Sequence, residues 1–91
     1  MKITLRVGTP FREALGERPE LEGKGTTIKE FFDNIFLKFP AFKGKLFHAN
    51  GELKSHVKIY INGVDIKEFG GLESLLRDED VVQVLSIADG G

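Results

Sequence analysis

The chain has 91 residues, with 13 basic and 14 acidic side chains and a formal net charge of −1 at pH 7. This length suits one small domain with a single core, and the balanced charge offers no attraction for nucleic acid or for an anionic membrane. There is no cysteine, which excludes disulfides, thiolate metal sites and a cysteine nucleophile, and we find neither a membrane-spanning apolar run nor a signal peptide, so we expect a cytoplasmic protein.

The first predicted element is a half-buried strand over residues 2–7, where apolar and polar side chains alternate strictly. Residues 8–19 are expected to form a loop, since proline and glycine interrupt them repeatedly. A short second strand is predicted around Leu21. The apolar side of the first strand carries Ile3, Leu5 and Val7.

The main helix is predicted to begin after Thr27, which forms a capping-box pattern with Glu30, and to end before Pro40. Between these positions the apolar residues recur at helical spacing and form one continuous stripe. We interpret this stripe, and the phenylalanines that cluster in it, as part of the core. Its members are Ile28, Phe31, Phe32, Ile35, Phe36 and Phe39.

Beyond the helix, residues 42–53 are expected to form a loop or a weak hairpin, with a turn at Asn50-Gly51. Apolar and polar residues alternate again over residues 56–61, which predicts another half-buried strand. Asn62-Gly63 then predicts a tight hairpin to a short strand at 64–66, because both residues tolerate positive φ.

A turn and a short helical turn are expected over residues 70–76, and the last strand over 81–87. One amphipathic helix of about 12 residues cannot bury its own stripe. It must cover one face of a sheet, so the sequence predicts an α+β two-layer fold with a mixed sheet of four to five strands.

Conventional catalytic or metal-binding patterns are weak. His48 and His56 have neither a cysteine partner nor a metal-binding spacing, and we interpret both as surface histidines. The run at residues 23–26, Gly-Lys-Gly-Thr, does not satisfy the phosphate-loop pattern. The acidic run at 78–80 is interpreted as a solvated turn, because a hard cation needs more oxygen ligands at defined spacing.

The last strand is more informative. Gln83 indicates that its own side of the strand faces water, which leaves an apolar row on the exposed side, formed by Val81, Leu85 and Ile87. Exposed apolar rows usually mark a partner surface. The alternatives are that this side is covered by a second buried layer or mediates self-association.

This strand leads directly to Gly90-Gly91. The terminal carboxylate of Gly91 is therefore expected to be the most accessible reactive group of the chain. The alternative is that the two glycines are a frayed end or a cloning remnant.

These features together resemble the β-grasp, ubiquitin-like sulfur carriers of the MoaD/ThiS kind. The resemblance is carried by residues 57–63, 70–72 and 76–80 and by Gly90-Gly91. The C-terminal half is most similar to the carrier of bacterial cysteine synthesis and to archaeal MoaD-like proteins. The resemblance implies a β-grasp domain over residues 1–87 and a flexible tail over 88–91.

The resemblance also implies a carrier that is itself no enzyme and binds no cofactor. A ubiquitin-activating-type enzyme would use ATP to adenylate Gly91, which would then become a thiocarboxylate. Asp89 and Gly90 would thread into the partner, and a second partner would accept the sulfur, either a synthase large subunit or a cysteine-synthase-like enzyme.

Three functions remain open at this stage. The chain is a sulfur carrier for molybdopterin, cysteine or thiolated tRNA, or a protein modifier joined to lysines through Gly91, or a β-grasp binding module whose glycines are incidental.

Overall fold

A computed structural model describes residues 2–87 of the chain. It contains a five-stranded mixed sheet, formed by β1 (Ile3–Val7), β2 (Glu20–Gly23), β3 (Val57–Ile61), β4 (Val64–Asp65) and β5 (Val81–Ser86). The strand order is β2-β1-β5-β3-β4. Neighbouring strands β1 and β5 are parallel, and the other neighbouring pairs are antiparallel.

The helices are α1 (Thr9–Arg12), α2 (Ile28–Lys38) and α3 (Pro40–Leu46), with short 3-10 turns at Glu13–Leu15, Ile66–Glu68 and Gly71–Glu73. The inner face of the sheet and the apolar stripe of α2 bury each other, as the alternation and the helical spacing predict. Phe31, Phe32 and Phe42 are among the largest fully buried side chains. The predicted α+β two-layer arrangement is therefore confirmed, with five strands.

The expectation that residues 8–19 form only a loop is wrong. A helical turn, α1, and a 3-10 turn occupy most of this stretch, and Phe11 and Leu15 are buried. Pro10 lies in the first turn of α1, where a missing N–H breaks no helical hydrogen bond. Proline was thus part of the start of a helix here, not the mark of a loop.

The expectation for residues 42–53 is half wrong for the same reason. Pro40 does end α2, but it also begins α3, which runs to Leu46 and buries Phe42. The weak hairpin follows instead, with an antiparallel bridge between Phe47 and Leu53 around the predicted turn.

The start of α2 confirms that Thr27 caps the helix, but the capping box is arranged differently from the prediction. The Thr27 hydroxyl accepts a hydrogen bond from the Glu30 backbone N–H at 3.1 Å. The Glu30 carboxylate reaches back one residue further than expected, to the Thr26 backbone N–H at 2.7 Å and the Thr26 hydroxyl at 3.0 Å. These hydrogen bonds favour the charged form and hold the pKa of Glu30 below its ordinary value.

Candidate functional site: the outer face and end of the last strand

Strand β5 lies at the centre of the sheet, between β1 and β3. Its Val82 and Val84 side chains are fully buried in the hydrophobic core. Because side chains alternate along a strand, Gln83 and Leu85 point to the opposite face, which carries no covering layer within residues 2–87. The fold therefore places one side of β5 in the core and the other on the surface.

The exposed side of β5 is the side that the sequence predicts. Leu85 is 39% exposed and Ile87 57%, while Val81 and Gln83 are half-buried. The exposure of the apolar row is thus observed, and its role in binding a partner stays a prediction.

Polar side chains flank this row on both neighbouring strands. Lys58 of β3 lies opposite Leu85, and Gln83 lies between Tyr60 of β3 and Arg6 of β1. Apart from Gln83, which interrupts it between Val81 and Leu85, the row is therefore a narrow apolar strip in polar surroundings, which suits a partner surface with an apolar centre and a polar rim.

The backbone is held to the sheet up to the last described residue. The Ile87 N–H donates to the His56 carbonyl at 2.8 Å, which continues the β3–β5 ladder past the end of the strand. On the other side, the Gly8 N–H donates to the Val84 carbonyl at 3.0 Å. The predicted functional residues Asp89, Gly90 and Gly91 lie outside the described residues.

The beginning of β5 is fixed by a side-chain network. Asn62, in the β3–β4 turn, donates its side-chain N–H to the Asp80 carboxylate at 2.9 Å and accepts the Val81 N–H at 2.9 Å. The other Asp80 oxygen accepts the Arg77 N–H, and Asp78 accepts the Lys2 N–H. The acidic run at 78–80 is a turn, as predicted, and its two aspartates set where β5 starts.

The other residues considered as candidates in the sequence analysis have a structural role or no evident role within residues 2–87. No group of three or more potential metal ligands comes together in the described part of the chain. His48 is exposed and His56 half-buried. The glycines of the run at 23–26 allow close packing, since a Cβ on Gly25 would lie 2.5 Å from the Phe31 nitrogen. Within residues 2–87 no helix is long and apolar enough to cross a membrane.

Sequence reasoning missed two arginines beside the apolar row, Arg6 and Arg12. Both line a depression that also includes Leu85. The alternation of β1 already places Arg6 on the side opposite Ile3, Leu5 and Val7, so that signal was available. Nothing in the sequence indicates that Arg12 lies next to β5.

Comparison with known proteins identifies the relationship. The chain matches the ThiS family over residues 5–91. The chain belongs to the ThiS family. Sequence relatives include the sulfur carrier protein CysO of Mycobacterium tuberculosis, at 26% identity over the whole of both chains. The small archaeal modifier protein 3 of Haloferax volcanii is 27% identical over the same extent.

Solved structures agree with this assignment. A chain of the Amycolatopsis orientalis BexX/CysO complex superposes with a TM-score of 0.89 at 28% identity, covering 98% of this chain and 99% of that one. The small archaeal modifier protein SAMP1 of Methanosarcina acetivorans gives 0.85 at 31% identity, covering 99% and 96%. The resemblance to β-grasp sulfur carriers is confirmed, and so is the fold. ThiS-family carriers are substrates of other enzymes, so the prediction that this chain is no catalyst is also confirmed.

Proposed function

We propose that this protein is a sulfur carrier whose Gly91 is adenylated by a ubiquitin-activating-type enzyme and converted to a thiocarboxylate. The observation that carries the proposal is the ThiS-family match, which extends through Gly91 itself. The thiocarboxylate would donate sulfur in the synthesis of molybdopterin, cysteine or thiolated tRNA. The acceptor would be a synthase large subunit or a cysteine-synthase-like enzyme, and the location would be cytoplasmic.

The proposed chemistry explains why a second protein must activate the tail. The α-carboxyl group is ionised at neutral pH, and a carboxylate is a poor acyl donor. Attack of the carboxylate on ATP forms an acyl-adenylate and releases pyrophosphate. Sulfide then attacks the acyl carbon, forming the thiocarboxylate and releasing AMP. The carrier contributes the acyl group and its own recognition surface.

Both the tail and the apolar row would contribute to recognition by the activating enzyme. Residues 88–91 would enter the activating enzyme as an extended tail, with Gly90 and Gly91 allowing the backbone to approach the nucleotide because they have no Cβ. Ordering such a tail costs about 1–2 kcal/mol per residue. Burial of the apolar row, Val81, Leu85 and Ile87, would offset part of this cost.

Conjugation to lysines is a second candidate function, favoured by the similarity to two small archaeal modifier proteins. It uses the same adenylation of Gly91 and differs in the group that attacks the acyl carbon, an amine instead of sulfide. The third candidate, a binding module that is never activated, predicts no adenylation.

Mass spectrometry of the whole protein separates these functions. We would incubate the chain with ATP, sulfide and the activating enzyme of its own organism, alongside a matched variant lacking Gly91. Replacement of one terminal oxygen by sulfur, in the intact chain only, is the expected result. Lysine adducts carrying a Gly-Gly remnant would favour the modifier, and an unchanged mass with an active enzyme would exclude both activated functions.

A further inference from the structure

A cationic depression lies on the outer face of the sheet, beside the end of β5. Its volume is about 350 Å³, and its charged side chains are Arg6, Arg12 and Glu20. Gln83 and Leu85 form its side toward β5. It therefore adjoins the apolar row directly, on the side of β1.

The charges within this depression do not balance. Arg6 and Glu20 form a loose ion pair, with the Arg6 Nε 3.6 Å from a Glu20 carboxylate oxygen, and both side chains are more than half exposed. Arg12 brings a second positive charge with no carboxylate within ion-pair distance among the described residues. With two cations and one anion, the depression has a net charge of +1.

Arg12 is also incompletely satisfied in its hydrogen bonds. Its Nε is buried and has no hydrogen-bond partner among the described residues. Buried donors are normally paired, and an unpaired one costs free energy. Burial of Nε also keeps water from one side of the cation. A carboxylate that meets its other side therefore interacts more strongly than it would with a fully solvated arginine.

The fold holds Arg12 in this position. Gly8, just before α1, is tied to β5 by its hydrogen bond to the Val84 carbonyl. Phe11, the neighbour of Arg12, is anchored in the core. The Arg12 carbonyl accepts the Glu17 N–H at 2.7 Å. The backbone of Arg12 is thus fixed beside β5 before any partner binds, which lowers the entropy cost of using it for recognition.

We propose that this depression receives a carboxylate side chain of the activating enzyme, while the apolar row packs against an apolar patch on the same enzyme. The inference rests on the proposed function and adds the chemical character of the partner surface. An acidic residue would lie next to an apolar one, so that the guanidinium of Arg12 and the side chain of Leu85 are covered together. Arginine suits this role because its planar group can bind both oxygens of a carboxylate.

Kinetics of adenylation test the proposal. Arg12→Gln should raise the KM for the carrier by about tenfold, as expected for the loss of one charge-assisted contact, and leave kcat unchanged. Added salt should raise the KM of the unaltered chain and have less effect on the variant. Arg18→Gln is the matched control. Arg18 lies in the same connection between β1 and β2 as Arg12 and is exposed, but it does not line the depression. Equal KM values for all three proteins would overturn the proposal.

Cross-linking identifies the carboxylate. Arg12→Lys places an amine in the depression, and a carbodiimide joins an amine to a carboxylate that it contacts. A link from position 12 to an acidic residue of the activating enzyme supports the proposal. A link only to the chain's own Glu20 or Asp89, or no link, overturns it. If Arg12→Gln does not fold, the cross-linking result with Arg12→Lys decides, because that substitution keeps the positive charge at position 12.

The outcomes also separate this inference from the proposed function. If the unaltered chain is not adenylated by its active cognate enzyme, the proposed function fails. If it is adenylated and Arg12→Gln behaves as the control does, only the carboxylate contact fails.

Discussion

Leu85→Asp tests whether the outer face of β5 binds the activating enzyme. Leu85 is 39% exposed, so a covering partner gains about two-fifths of the roughly 1.5–3 kcal/mol of a fully buried leucine, or about 0.6–1.2 kcal/mol. A carboxylate that the partner removes from water costs about 1–3 kcal/mol more. The total of about 2–4 kcal/mol corresponds to a loss of roughly 30- to 1,000-fold in kcat/KM for adenylation.

The same substitution should leave the domain folded. The packing that Leu85 already makes is worth about 0.9–1.8 kcal/mol by the same measure. Lys58 lies directly opposite on β3, and the ion pair that it can form with the new aspartate contributes about 0.2–1 kcal/mol of stability. The net loss is then at most about 1.6 kcal/mol, a decrease of no more than about 13 °C in Tm for a domain of this size.

The assay is pyrophosphate release during adenylation, measured together with thermal unfolding of each variant. Val64→Asp is the matched control, because Val64 is 42% exposed but lies on the edge strand β4, two strands away from β5. We expect Leu85→Asp alone to lose activity. Equal activity of the two variants would refute the partner surface, and unfolding of Leu85→Asp would refute the account of its packing.

Three further predictions concern the elements that support β5. Thr27→Ala removes the cap of α2 and should cost about 1 kcal/mol, or about 4–8 °C in Tm, whereas Thr27→Ser should be nearly neutral. Gly25→Ala should cost at least about 2 kcal/mol in urea unfolding, because its Cβ would lie 2.5 Å from the Phe31 nitrogen, while Gly44→Ala, in open space on α3, should stabilise by about 0.5–1 kcal/mol. The lowered pKa of Glu30 means that its charged form stabilises the fold above the ordinary value of 4.5, and that this contribution is lost as pH falls through the lower folded value. The Tm difference between the unaltered chain and Glu30→Gln should therefore shrink as the pH is lowered below 4.5, and a constant difference would contradict the hydrogen-bonded carboxylate.

Much of the fold follows from local pattern. The alternation around Ile59 predicts the buried side of β3, and Gln83 predicts which side of β5 faces water, because side chains on a strand point to opposite faces. The spacing of the phenylalanines predicts the buried face of α2. Asn62 and Gly63 take positive φ, as their turn prediction requires. Helices α1 and α3 were missed because a proline in the first turn of a helix has the same local signature as a proline that ends one.

The sequence by itself determined that β5 has an apolar side facing water and that two glycines follow it. Only the tertiary structure decided what surrounds that side. The parallel pairing of β1 with β5 brings Arg6 next to Gln83, and the turn of α1 brings Arg12 beside Leu85, more than 70 positions later in the chain. Periodicity reports the faces of one element at a time, whereas the neighbours of a face depend on strand order, which is set by the packing of the whole core.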